Sequence, residues 1–151
     1  MITLNWTYKS FDELSPLELY RILQLRSRVF VVEQDCVYLD TDDKDQRSFH
    51  YCGWDGDVLV AYVRILPPGL AYENRSSIGR VVSNPDYRGT GAGRLLMKQA
   101  IEKTFTAFPG YDIKIGAQLY LFEFYRSLGF EKSGPEYLED GIPHIEMTLK
   151  H

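Results

Sequence analysis

Ile2, Leu4 and Trp6 alternate with polar neighbours, so the chain opens on a predicted strand with those three side chains on one face. The period then changes. Ser15, Pro16 and Glu18 place a capping serine, a proline at the first helical position and a glutamate at the third, which is a capping box. Leu19, Ile22, Leu23, Val29 and Phe30 continue a helical stripe. Arg26 falls inside that stripe, where an apolar residue is expected, whereas Arg28 faces the opposite side. Next, "SFHYCGW" and "VLVAYVRIL", joined through Asp55-Gly56-Asp57, predict a hairpin. The second of these strands is apolar on both faces and belongs at the centre of a sheet.

"SSIGRVVS" and "YDIKIGA" predict further strands, and "FEKSGPEYLE" and "IPHIEMTLK" close the chain as two more. A helix of about four turns starts near Gly91. Ala92, Leu96, Met97, Ala100 and Ile101 lie on its buried side, and Arg94, Lys98 and Glu102 on the other. "LYLFEFYRSLGF" is a short helix ended by Gly129. This order predicts an α/β (α+β) fold with helices packed on one mixed sheet, residues 1–151 forming one domain.

Composition narrows the partners. A net charge of −4 argues against a basic nucleic-acid binder. No run approaches the roughly 20 apolar residues that cross a membrane, and "MITLNWTYKS" lacks the basic-then-apolar order of a signal peptide. Cys36 and Cys52 form no CxxC and read as reduced thiols in a cytoplasmic protein. The aspartates of "VEQDCVYLDTDDKDQRS" invite a calcium reading, but the glycine and glutamate places of that loop hold Asp45 and Tyr51. Asp40, Asp42, Asp43 and Asp45 therefore read as a solvated acidic loop, with no metal.

The most informative stretch is "SNPDYRGTGAGRLLM". It fails the dinucleotide fingerprint, because the third glycine comes one residue early, at Gly93. It also fails the P-loop, because Gly93 is followed by Arg94 and Leu95. The physics of a phosphate site remains: unpaired N–H groups and the positive end of a helix dipole, small residues, and Arg88 and Arg94 beside them.

"RGTGAGRLL" after "IGRVVSNPDY" resembles motif A of the GNAT superfamily of N-acetyltransferases, Q/R-x-x-G-x-G/A, with Arg88, Gly91 and Gly93 in the matching places. "LRSRVFVVEQDCVYLDTDDKD", "WDGDVLVAYVRIL", "FYRSLGF" and "YLEDGIPHIEM" resemble the ElaA-like subgroup, so the likeness covers nearly the whole chain. The resemblance implies acetyl-CoA as cosubstrate, with its diphosphate on the backbone of Arg88, Gly89, Thr90, Gly91, Ala92, Gly93 and Arg94. It implies a pantetheine arm paired like an added strand beside Val81, Val82 and Ser83. It also implies six or seven strands with about four helices, a bulge in the cofactor strand, and a V-shaped opening towards "IKIGA".

Acetyl transfer to an amine needs a base for the amine, donors for the carbonyl oxygen and an acid for the leaving thiolate. Backbone N–H groups around Val81 and Val82 suit the carbonyl. Tyr125 stands where many GNAT enzymes carry the acid, though it also fits an apolar stripe with Leu121, Phe124 and Leu128. His144, on the more polar face of the last strand, is either the base or a half-buried structural histidine. Glu33 is a base, a substrate contact or a solvated helix-end residue; His50 reads as structural. Arg26 either binds an acidic group of the acceptor or ties down a carboxylate. The acceptor is a small-molecule or peptide amine, with no nucleic acid or membrane partner, and the protein is a monomer or homodimer. A non-catalytic acyl-CoA sensor is the alternative; it would lack an acid and a base, and Tyr125 and His144 are both present.

Overall fold

The computed structural model describes residues 3–151, so Ile2 of the expected opening strand lies outside the described residues. Strand β1 (Asn5–Ser10) pairs antiparallel with β2 (Phe49–Asp55), β2 with β3 (Val58–Leu66), and β3 with β4 (Ser77–Ser83). The β2–β3 hairpin closes through Gly56-Asp57, with Gly56 at φ 59°. A second sheet runs β5 (Ile113–Gln118), β7 (Ile142–Leu149), β6 (Glu131–Glu139), also antiparallel. The mixed character of the whole comes from one parallel bridge between the sheets, Ser76 with Ile113.

Helix α1 (Pro16–Arg26) begins as its sequence dictates. Ser15 Oγ accepts from the Glu18 N–H at 3.1 Å, and Glu18 Oε1 accepts from the Ser15 N–H at 2.8 Å. It does not stop cleanly. Residues Ser27–Glu33 continue as a π-helix, with the Gln34 N–H reaching Val29 O at 3.1 Å. Helix α2 (Ala92–Ala107) and the short α3 (Phe122–Ser127) complete three α-helices among the described residues, one fewer than the resemblance implies unless the π segment is counted.

β3 is the centre of the packing, as its double apolar character predicts. Ala61, Val63 and Ile65 join Leu96, Met97 and Ala100 of α2 in one core. Leu59 and Tyr62 join Ile22, Leu25 and Val29 of the first helix in another. Leu96 is fully buried, so its truncation to alanine costs about 3 kcal/mol. Burying both faces of β3 fixes β4 beside it and leaves the other edge of β4 free beyond the Ser76 bridge.

Candidate functional site

The stretch after β4 is a built turn. The Asn84 N–H bonds Val60 O at 2.7 Å, its side chain donates to Leu59 O at 3.1 Å, and its Oδ1 accepts from the Asp86 N–H at 2.9 Å. Thr90 Oγ1 donates to Tyr87 O at 2.7 Å. Gly89 and Gly91 then take φ 83° and 80°, the left-handed region where a side chain is strained, and nothing lies within 4 Å of where a Cβ would stand. Gly91 caps α2, whose first-turn N–H groups have no partner within the helix. Open space, bare backbone and a dipole end in one place fit a diphosphate. Arg94 leans away and donates to Ser127 Oγ at 2.9 Å.

β4 and β5 start side by side. The Ser76 N–H bonds Asp112 O at 3.1 Å, and the Lys114 N–H bonds Ser76 O at 2.9 Å. Beyond that point β4 stays with β3 and β5 with β7, so the two diverge. β4 also carries a bulge: Tyr62 pairs with Val82 and Arg64 with Gly79, leaving Arg80 and Val81 opposite Val63 alone. Arg80 sits at φ 50°. Since the Asn84 N–H faces β3, strand alternation turns the Val82 N–H to β3 as well, and the Val81 and Ser83 N–H groups to the open side. Of the pair expected to polarise a carbonyl, Val81 turns its N–H to the open side and Val82 turns its N–H to β3.

The divergence opens a cleft of about 790 Å³. Val81, Ser83, Arg88 and Gly93 line it on the β4 side, and Tyr137, Glu139 and His144 on the side of the second sheet; Tyr72 and Tyr125 also line it. Tyr125 is buried against Phe124 and Phe130, and no side chain among the described residues hydrogen-bonds its hydroxyl. Burial pushes its pKa well above the usual tyrosine value, so the O–H stays intact at neutral pH. His144 Nδ1 lies 2.7 Å from Ile142 O, an acceptor, so Nδ1 carries the proton. Nε2 lies 3.6 Å from Glu139 Oε2, and the ring stacks on Tyr137 at 5.5 Å.

A glycine loop of bare backbone at a helix start, a bulged strand with a free edge, and Tyr125 and His144 along one cleft stand together. The sequence profile of the acetyltransferase (GNAT) domain matches residues 24–151. This chain belongs to the GNAT family. Protein ElaA of Escherichia coli K12 is 42% identical over 147 residues, covering 96% of this chain and 95% of that protein. The crystal structure of E. coli ElaA superposes with a TM-score of 0.91, covering 98% of this chain and 100% of that one, at 40% identity. An acyl-CoA N-acyltransferase from Pseudomonas aeruginosa superposes with a TM-score of 0.93, covering 97% and 99%, also at 40% identity.

In this GNAT domain two of the expected site residues stand apart from the chemistry. Arg26 is fully buried and is not among the residues that line the cleft. It donates from Nε to Asp40 Oδ2 at 2.8 Å and from Nη1 to Asp45 Oδ1 at 2.7 Å, the carboxylate tie that the sequence offered beside an acceptor contact. Glu33 forms an ion pair with Arg88. That bond holds its carboxyl below the usual range, the wrong direction for taking a proton from an amine near neutral pH.

The acidic loop of this GNAT domain is not simply solvated. Asp40 and Asp45 are buried, and together with Asp42 they face Arg26, Arg64 and Arg80, three charges against three. Burial alone would raise the Asp45 pKa, but Arg26 and Arg64 outweigh it and hold it low. The sequence signal was an arginine inside each of two apolar runs, Arg26 and Arg64. Tyr72, Tyr137 and Glu139, which line the cleft, carried no such signal. No group of three or more metal-ligating side chains occurs among the described residues, and no helix of theirs is long and apolar enough to cross a membrane.

Proposed function

We propose that the protein moves an acetyl group from acetyl-CoA to an amine acceptor by direct transfer, with residues 1–151 working as one domain. One relationship carries the reading: the free edge of a bulged β4 runs straight into the glycine cap of α2, inside a cleft that also holds Tyr125 and His144. Acetyl-CoA, when bound, supplies an activated thioester. The backbone from Arg88 to Arg94 holds its diphosphate, and the main chain of Val81 and Ser83 pairs with its pantetheine arm. The Val81 N–H donates to the carbonyl oxygen as negative charge develops there. His144 Nε2 accepts the proton that the attacking amine loses. Tyr125 gives its O–H proton to the departing sulfur; burial raises its pKa, so the proton is still in place when the thiolate forms. The two free cysteines fit a cytoplasmic location.

Thermal melts with CoA, acetyl-CoA, NAD and ATP test the cofactor. The two CoA species should raise the melting temperature most and by similar amounts. A larger rise with NAD or ATP would overturn the reading. Amines, amino acids and peptides are then screened with acetyl-CoA, and released CoA is read as free thiol. CoA binding without release across the panel would favour an acyl-CoA sensor.

A further inference from the structure

A strand residue other than glycine rarely takes a left-handed backbone, and Arg80 does so in the middle of β4. Glycine would fit that place without strain, so the arginine side chain has a reason to be there. Its Nε donates to Asp40 Oδ1 at 2.8 Å, and its Nη2 donates to Asp40 O at 2.8 Å. Nη2 also lies 3.5 Å from Asp42 Oδ2, and the guanidinium sits 6.0 Å from the Tyr38 ring centroid. Asp40 is itself pinned: the buried Arg26 takes its other carboxylate oxygen, and the Tyr38 hydroxyl donates to Oδ1 at 3.1 Å. A continuous chain of contacts therefore runs from α1 through the acidic loop to the bulge.

The bulge decides which amides face the cleft. Ser76 turns its N–H and C=O to the β5 side, and by alternation so does Arg80. Beyond the bulge, Val81 and Ser83 face that side. Two successive peptide groups, at Arg80 and Val81, thus point into the opening. If the extra residue were absorbed into a regular strand, the downstream register would slip by one and turn Val81 and Ser83 back to β3.

We propose that Arg80 is a positioning residue, whose tie to Asp40 holds the left-handed backbone that aims the Val81 N–H at the thioester carbonyl. The proposal rests on the acetyl-transfer reading above. It also couples the amide donor to the loop that carries Tyr38, Leu39 and Asp42 along the same cleft.

The test needs no acceptor. Amide resonances of ¹⁵N-labelled protein are followed in parallel titrations with CoA and with acetyl-CoA. In the wild type the Val81 amide should shift differently with the two, because only one carries a carbonyl. In Arg80→Ala that difference should fall at least about threefold while CoA affinity stays within about threefold. Arg80→Gly should keep more of it than Arg80→Ala, because glycine adopts the backbone unaided. Asp40→Asn, which leaves Arg80 in place but weakens its tie, should lose it.

An undiminished difference in Arg80→Ala would overturn the proposal. So would equal losses in the alanine and glycine variants, which would mark a direct contact with the ligand. If Arg80→Ala does not fold, Asp40→Asn is read in the same way; failure of both to fold would show that the contact serves stability, and would also overturn it. Wild type that binds CoA without an acetyl-dependent shift at Val81 would sink this inference alone, whereas wild type that binds no CoA would sink the acetyl-transfer reading and this inference with it.

Discussion

Arg88 of the glycine loop and Glu33 at the end of the π-helical segment are ion-paired. A diphosphate bound at the loop competes with Glu33 for the same guanidinium. Both side chains are about half exposed, so solvent screening leaves the pair weak. Glu33→Gln should therefore tighten CoA binding by about two- to fivefold, measured by calorimetry. Weaker binding in that variant would show that the pair prepares Arg88 for the ligand instead of competing with it.

The loop backbone should matter more than its second arginine. Gly91→Val forces a branched side chain into φ 80° and places it in the space left for the diphosphate. Arg94 is exposed and already occupied by Ser127, so Arg94→Ala should cost CoA affinity no more than about fivefold. Titration of both variants gives the order, and the reverse order would contradict the placement of the diphosphate.

Tyr125→Phe keeps the ring and its packing on Phe124 and Phe130, so fold and CoA affinity should persist. Turnover with an acceptor found by the screen should fall by roughly 10- to 10⁴-fold. His144→Ala should lose most at low pH and recover partly at high pH, where more free amine is present. An unchanged acidic limb in His144→Ala would remove it as base. Unchanged turnover in Tyr125→Phe, with chemistry rate-limiting, would return Tyr125 to a packing role.

Stability should decline in two stages as pH falls. His50 accepts from the Tyr62 hydroxyl at Nδ1 (2.6 Å), and its Nε2–H donates to Asp45 O (3.0 Å), an arrangement that suits the neutral ring. Burial lowers its pKa, so the unfolded chain takes up this proton first and stability falls below about pH 6.5. Asp42 and Asp45 have pKa values held low by their arginines against the pull of burial. Their contribution is complete above about pH 4 and is lost as pH drops through the folded-state values. Asp42→Asn should flatten only the lower stage in thermal melts. A melting temperature constant between pH 7 and 5 would count against the role given to His50.

Much of this was legible in the chain because it is local. The capping box at Ser15 and Glu18, the Gly56-Asp57 turn and the doubly apolar β3 are each decided within a few residues, and all appear in the structure. The Arg26–Asp40–Arg80 chain joins residues 14 and 40 positions apart, which leaves no periodic trace. The π-helical run of Ser27–Glu33 was hidden because Val29 and Phe30 also continue an ordinary helical stripe; only the hydrogen-bond ladder tells the two apart. Tyr125 and His144 were visible as residue types, but the cleft that both line was not, because it is made by two sheets parting.

Gly116 gives a test on the second-sheet side of the cleft. A Cβ there would collide with the Tyr137 hydroxyl, which crosses over β5 at that point. Gly116→Ala should displace Tyr137 from its stack on His144 and change the acceptor KM by about fivefold or more, an off-rotamer cost of about 1 kcal/mol. CoA affinity should hold. An unchanged acceptor KM would place Tyr137 outside the acceptor's reach.

The bridge between Ser76 and Ile113 has a mechanical consequence. It is the apex of a wedge, and Gln118 at the far end of β5 stands five residues away, about 17 Å along the strand. A rotation of only about 5° at the apex swings that end by about 1.5 Å, enough to spoil the alignment of reacting groups. Ser76 is fully buried and touches neither arm's chemistry, yet it works as a fulcrum. Small changes of packing beneath it are magnified along the strands, so this catalyst is tuned from its narrow end.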